Sequence, residues 1–360
     1  MAFLYDILSR EFGTKAIAEV PVPSHITNNL KPVFGLRPYQ QEAFQRFVLC
    51  HSRKFEGKPG TPLHLLFNMA TGSGKTLVMA GLMLHLYARG YRHFLFFVNS
   101  NNIIQKTKDN FLNPAASKYL FNRQIVINGQ NIPVKEVANF EEAGSQQINI
   151  KFTTIQQLHT DLHHVRENSM ALEDFRYGKT VLIADEAHHL SSATRGKGAL
   201  PGSWEGTVLQ ILQQHPGNLL LEFTATLDYE NREIVQKYQD KVVFRYDLSR
   251  FRAAGYSKEI NLVRSHYNEQ ERVLQALVLN LYRQELAASR NIDLKPVILF
   301  KAKKTIKESE QNKENFHLLI ERLSADMLRR IQQTSTLPVV QRAFRFFEAR
   351  GTSRHALARL

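Results

Sequence analysis

The nine residues 68–76, NMATGSGKT, constrain this chain more tightly than any other stretch. An apolar run at 64–67 precedes them and an apolar-periodic stretch at 77–87 follows. The order predicted is strand, glycine loop, helix. Gly72 and Gly74 allow backbone conformations closed to residues with a side chain, so that consecutive N–H groups can turn inward around an anion. The helix that begins near Lys75 adds the positive end of its dipole. Such a loop fits nucleotide phosphates. The backbone of Thr71, Gly72, Ser73 and Gly74 would surround them, Lys75 would reach the β- and γ-phosphates, and Thr76 would place its hydroxyl on Mg²⁺. The usual pattern opens with glycine six residues before the lysine; here that position is Met69.

A second stretch supplies the partner chemistry. Residues 181–184 read as a short buried strand that ends in Asp185-Glu186-Ala187-His188. In the phosphate-loop design, an acid at the end of a neighbouring strand holds the same Mg²⁺, which makes Asp185 the second metal ligand. Glu186, beside it, is the candidate base that orients an attacking water. ATP and Mg²⁺ are the expected cofactors.

Together these residues resemble a known group of proteins. The glycine loop, 185–188 (DEAH), 36–40 (LRPYQ) and 223–226 (FTAT) are similar to the motifs of superfamily-two helicases and translocases of the DEAD/DEAH kind. More narrowly, 184–190 (ADEAHHL), 246–260 (YDLSRFRAAGYSKEI) and 296–301 (PVILFK) resemble the restriction (Res) subunit of type III restriction–modification systems. The resemblance extends to about residue 320. It implies a RecA-like first domain, ATP hydrolysis that drives movement on duplex DNA, and a modification methyltransferase as partner. It implies that Gln40 reads the adenine edge, which suits a carboxamide that both donates and accepts. It implies that His188 links the Mg²⁺ site to the turn of Thr224, Ala225 and Thr226, and that this turn couples nucleotide state to domain movement. Two further segments become candidate contacts to a nucleic-acid backbone: Asn99, Ser100, Gln105 and Lys106 after one strand, and Thr153, Thr154 and Gln156 where a helix opens. Helix capping and a solvated face account equally well for the first group.

Charge points to the same kind of partner. Lys and Arg outnumber Asp and Glu by 47 to 33, a net charge of +14, which implies a polyanion and most simply nucleic acid. Residues 301–360 hold 13 basic against 6 acidic residues. Lys301, Lys303 and Lys304 there would either grip a phosphate backbone or stay solvated. The single cysteine, Cys50, excludes an intrachain disulfide framework and a cysteine-based zinc site. His159 and His163 share a helix face and would suit a metal, but no third ligand is evident and a polar face is the better interpretation. No apolar run approaches a membrane span and no secretory pattern opens the chain, so a cytoplasmic protein is expected.

The expected fold class is α/β, a RecA-like phosphate-loop domain with a mainly parallel sheet. Its strands lie near 64, 93, 148, 180 and 218 and alternate with helices. The organisation expected is an N-terminal extension at 1–35, the first RecA-like domain at 36–245, a connector at 246–290 and a partial second RecA-like domain at 291–360. Residues 296–301 should open that second domain as a strand, and 316–331 should be one helix. The later motor motifs find no match in 320–360: Gln341-Arg342-Ala343-Phe344-Arg345 lacks the expected glycine. Nor is there a nuclease pattern of clustered acids and a lysine. The chain is therefore expected to be the motor portion of a larger subunit, truncated, split or completed by another polypeptide. The alternatives are a stand-alone DNA or RNA helicase and a non-catalytic module that only binds ATP and DNA.

Overall fold

A computed structural model of the chain describes residues 2–141, 143–163, 170–187, 203–257, 263, 266–301 and 305–351. The chain divides into two compact units, Met1–Glu259 and Ile260–Leu360.

The first unit opens with three short helices, α1 (Leu4–Phe12), α2 (Thr14–Glu19) and α3 (Ser24–Thr27), and a longer α4 (Pro38–Ser52). Strand and helix then alternate through β1 (Leu63–Met69), α5 (Lys75–Ala88), β2 (His93–Val98) and α6 (Asn101–Leu112). A small hairpin, β3 (Val126–Ile127) and β4 (Gln130–Asn131), precedes β5 (Val134–Glu136), β6 (Ile148–Thr154) and α7 (Ile155–His163). The unit closes with β7 (Thr180–Asp185), α8 (Trp204–Gln213), β8 (Leu219–Thr224), α9 (Arg232–Tyr238), β9 (Val242–Tyr246) and α10 (Leu248–Ala253).

Seven strands form one sheet in the order β5-β6-β2-β7-β8-β1-β9, and every pairing is parallel. A parallel sheet needs cover on both faces, and alternate residues of its strands enter two separate cores. Phe94, Phe96 and Val98 of β2 join Phe44 and Phe47 of α4 and Leu82 of α5. Leu95 and Phe97 of the same strand join Leu158 of α7 and Ile211 of α8. β7 splits likewise, with Val181 and Ile183 on one side and Leu182 and Ala184 on the other. β1 and β2 follow one another in the chain, yet β8 and β7 lie between them in the sheet.

The α/β class and the strands near 64, 93, 148, 180 and 218 are as expected. Two edge strands, β5 and β9, are additional, and Tyr246, expected to open a connector, is the last residue of β9. The described part of the expected extension, residues 2–35, is packed into this unit: Leu4, Leu8, Ile26 and Leu30 lie in its main core. Arg46, only 2% exposed, ties α1 to α4. Its guanidinium meets Glu42 at 2.7 Å and donates to the Tyr5 carbonyl and Ser9 Oγ, each at 2.9 Å. A buried cation is tolerated because its donors are engaged in this way.

The second unit contains α11 (Glu269–Ala288), α12 (Ile306–Glu321), α13 (Ala325–Thr334) and α14 (Pro338–Ala349). Leu274, Val278 and Leu281 of α11 pack with Leu328 and Ile331 of α13 and with Val340 and Phe347 of α14. Two expectations fail here. The helix expected at 316–331 is interrupted, because Ser324 Oγ accepts from the Met327 N–H at 3.3 Å and caps a new helix. The strand expected at 296–301 does not form: Val297 and Leu299 are 87% and 90% exposed. A strand requires an edge to receive its N–H and C=O groups, and the described residues of this unit offer none. Helices alone make up its regular structure among the described residues, where a partial second RecA-like domain is expected. No helix among the described residues of either unit is long and apolar enough to cross a membrane.

Candidate functional site

Three adjacent strands deliver the expected nucleotide residues at their carboxyl ends. Asn68 of β1 stands in register with Thr224 of β8, and Phe223 of β8 with Asp185 of β7. The glycine loop, the Thr224 turn and Asp185 therefore emerge side by side, although 156 positions separate Asn68 from Thr224 in the chain. Asn68 Nδ2 donates to the Thr224 carbonyl at 3.3 Å, and Tyr229 Oη donates to Asn68 Oδ1 at 2.9 Å.

The loop has the conformation its glycines permit. Gly72 and Gly74 have φ of 81° and 87°, in the left-handed region. At Gly74 a Cβ would also collide with the Gln40 carboxamide. Lys75 opens α5 and is 9% exposed; its Nζ lies 3.9 Å from Glu186 Oε1. Glu186 itself has φ of 53°. A non-glycine residue there costs roughly 1–2 kcal/mol, and strain of this kind gathers at functional sites. The Glu186 N–H donates to Asp185 Oδ1 at 3.0 Å.

Burial pushes the Asp185 carboxyl up to about 6; Lys75 opposes the shift and Glu186 adds to it. A carboxylate disfavoured by burial is one that a bound cation would stabilise. Thr76 sits half-buried on the first turn of α5. One carboxylate and one hydroxyl, completed by phosphate oxygens and water, suit Mg²⁺, which is seldom held in an all-protein cage. No group of three His, Cys, Asp or Glu that would make such a cage occurs among the described residues.

Gln40 is placed differently from the expectation. Its Nε2 donates to the Ser73 carbonyl at 2.8 Å and its Oε1 accepts from the Arg37 N–H at 3.0 Å. The carboxamide, expected to read adenine, is thus engaged first with the loop, with one N–H and one lone pair left over. Tyr39 entered the sequence reasoning only as a member of the 36–40 segment, with no role of its own. Its hydroxyl donates to the same Ser73 carbonyl at 2.9 Å, and burial raises its phenol above the ordinary value. Its ring stacks on that of Tyr246, a pairing with no spacing signature in the sequence.

The remaining candidates fall into separate groups. Thr224 Oγ1 donates to the Thr226 carbonyl at 2.9 Å and accepts from the Thr226 N–H at 3.2 Å, so the turn through Ala225 closes on itself. His188, expected to link this turn to the metal site, lies outside the described residues. β2 and β6 are neighbours with Val98 opposite Thr154, which brings Asn99 and Ser100 together with Thr154 and Gln156 on one rim. Gln105 and Lys106 are exposed on α6, which starts from that rim. Thr153 does not join the surface: it is buried and its hydroxyl donates to the Thr154 carbonyl at 3.2 Å. Thr154 Oγ1 caps α7 by accepting from the Gln157 N–H at 3.1 Å. Lys301 is exposed and belongs to the second unit. His159 and His163 do share a face, but His159 Nδ1 is 2.6 Å from Thr207 Oγ1.

Residues 33–229 match the family model described as type III restriction enzyme, res subunit. A Haemophilus influenzae protein described as a probable type III restriction-modification enzyme HindVIP Res subunit is 41% identical over 332 residues. That alignment covers 84% of this chain and 63% of the relative, so the chain spans a little under two thirds of the relative's length. Among solved structures, the helicase domain of Pyrococcus furiosus Hef aligns at 17% identity with a TM-score of 0.35, covering 85% of this chain and 58% of that one. A DEAD box protein from Methanococcus jannaschii aligns at 15% identity with a TM-score of 0.36, covering 82% and 78%. Neither likeness adds to the fold already defined by the strand order.

Proposed function

Given that this chain belongs to the family of type III restriction enzyme Res subunits, we propose that its first unit is an ATP-hydrolysing, helicase-like motor that acts on duplex DNA. The observation that carries the proposal is the convergence of Lys75, Glu186 and Asp185 beside a left-handed glycine loop, on the ends of strands two places apart in one sheet. The loop N–H groups and Lys75 bind the phosphates. Thr76 and Asp185 hold Mg²⁺, which when bound neutralises charge on the phosphate oxygens. Glu186 orients the attacking water and takes its proton. A γ-phosphate would compete with Glu186 for the Lys75 ammonium, which stands 3.9 Å from Glu186 Oε1.

The rim of Asn99, Ser100, Thr154 and Gln156, with Gln105 and Lys106 beyond it, is the proposed track for a DNA backbone. Contacts of this type carry position and no sequence information. Site recognition then falls to a methyltransferase partner, and the chain acts in the cytoplasm beside it. The relative's description as a restriction-modification enzyme supports that partnership.

The test is Mg²⁺-dependent ATP hydrolysis by the purified chain, with and without duplex DNA, beside Lys75→Ala. Turnover that DNA stimulates and Lys75→Ala abolishes is expected. ATP binding that needs Lys75 but yields no turnover would reduce the chain to a binding module. Absence of ATP binding would overturn the assignment.

A further inference from the structure

The glycine loop is gripped from outside by aromatic residues that the proposed chemistry does not use. At its start, the Ala70 N–H donates to the Tyr246 carbonyl at 2.9 Å. At its end, the Ser73 carbonyl accepts from Tyr39 Oη at 2.9 Å and from Gln40 Nε2 at 2.8 Å. Across the loop, the Ser73 N–H donates to the Ala70 carbonyl at 3.1 Å. The two ends are joined through a stack, because the Tyr39 and Tyr246 rings lie 4.2 Å apart and 10° from parallel. Phe251 and Tyr256 meet Tyr39 edge-on, at 6.1 Å and 5.4 Å.

The direction of the Ser73 carbonyl matters. A peptide oxygen turned into the cradle would oppose a phosphate, whereas one tied outward by two donors leaves the N–H groups facing in. We propose that Tyr39 and Tyr246 are positioning residues that keep the loop open for a nucleoside triphosphate by holding the Ser73 carbonyl outward. The inference rests on the nucleotide assignment of the loop. It gives the tyrosines different duties. Tyr39 needs its hydroxyl as well as its ring, whereas Tyr246 contributes a ring and a main-chain carbonyl.

The experiment is titration of the purified chain with a fluorescent ATP analogue and Mg²⁺, followed by steady-state hydrolysis with duplex DNA. Tyr39→Phe deletes the oxygen that donates to the Ser73 carbonyl and accepts from Arg37 Nη1 at 3.2 Å, and is expected to weaken analogue binding about five-fold, the net worth of the bond to the loop. KM rises accordingly while kcat is unchanged, because Tyr39 touches the loop and not the reacting atoms. Tyr246→Leu is expected to weaken binding as well, and Tyr246→Phe to restore it. Native affinity in Tyr39→Phe, or a Tyr246→Phe protein as weak as Tyr246→Leu, overturns the proposal. Lys75→Ala separates this failure from that of the underlying assignment. If Lys75→Ala binds the analogue as the native chain does, the loop is not the nucleotide site. If Lys75→Ala loses binding while Tyr39→Phe keeps all of it, only the aromatic brace is wrong.

Discussion

Two apolar runs meet opposite fates in this molecule. Residues 94–98 (FLFFV) belong to β2 and are buried throughout, divided between two cores. Residues 296–300 (PVILF) run as chain without a strand partner, with Val297 and Leu299 turned outward and Pro296 and Ile298 half-buried between them. Both runs are apolar throughout, and apart from Pro296 the second is as rich as the first in residues that strands accept. What separates them is company. β2 has β6 on one edge, β7 on the other and helices over both faces. Among the described residues the second run pairs with no strand; its end meets the helices of its unit, where Phe300 and Phe316 approach to 5.3 Å and a shared cavity is lined also by Val273 and Met327. An apolar run encodes burial only when the topology around it supplies two edges and two faces.

The most forceful way to break this comparison is the same kind of truncation in both runs. Phe96→Ala should destabilise the first unit by about 3–5 kcal/mol, as deletion of a buried phenyl ring does. Leu299→Ala should move stability by less than about 0.5 kcal/mol, as exposed positions do. Urea unfolding would read both, and comparable losses would show that the second run is buried after all. Chemistry sharpens the comparison next, since every proposed catalytic group stands on the first unit's strand ends. Glu186→Gln should lower ATP turnover by roughly 10²–10⁴-fold while ATP still binds. Native turnover in that protein would remove Glu186 as the base.

Acid should then separate the units. In the first, His25 Nε2 lies 3.0 Å from His85 Nδ1, and burial pushes His85 down to about 3 and the neighbouring His51 down to about 4. These rings are neutral when folded and gain a proton on unfolding below the ordinary histidine value of 6.5. Stability from them is complete above that pH and is lost as pH falls toward 4, by at most about 1.4 kcal/mol per pH unit for each ring. Hydrogen exchange between pH 7 and pH 5 should show the first unit loosening, and His85→Gln should flatten the slope. The second unit, with no buried histidine among its described residues, should change less. A smaller loss is expected at the break between α12 and α13. Ser324→Ala should cost about 1 kcal/mol, seen as a lower melting temperature of the second unit alone.

Local chemistry made much of the first unit legible. Apolar runs bounded by polar turns located five of its strands, and the glycine loop and Asp185-Glu186 placed themselves at strand ends. β9 was less visible because a five-residue edge strand at Val242–Tyr246 differs little from the start of a loop. The order of strands could not be read at all, since it depends on pairings between distant segments. For the same reason Tyr39 went unnoticed beside Gln40: its worth lies in a ring at position 246 and a carbonyl at position 73. In the second unit the error ran the other way. The run at 296–301 has the local character of a strand, and nothing within those six residues states whether an edge awaits it. Ser324 was misjudged as a helix-interior residue because a capping serine is distinguished from its neighbours only by what its hydroxyl accepts.

The separation of β1 from β2 in the sheet bears on how the protein is born. A ribosome delivers β1, the glycine loop and β2 early, but the partners of β1 are β8 and β9, which begin at Leu219 and Val242. Until that later chain emerges, neither edge of β1 has its partner, and the Tyr246 carbonyl that receives Ala70 has not been made. Pairings of such long sequence separation form late. The cradle is therefore a late acquisition: a nascent chain carries the loop's full sequence long before it can hold the loop's shape, and the loop waits for β9 before its outer support is complete.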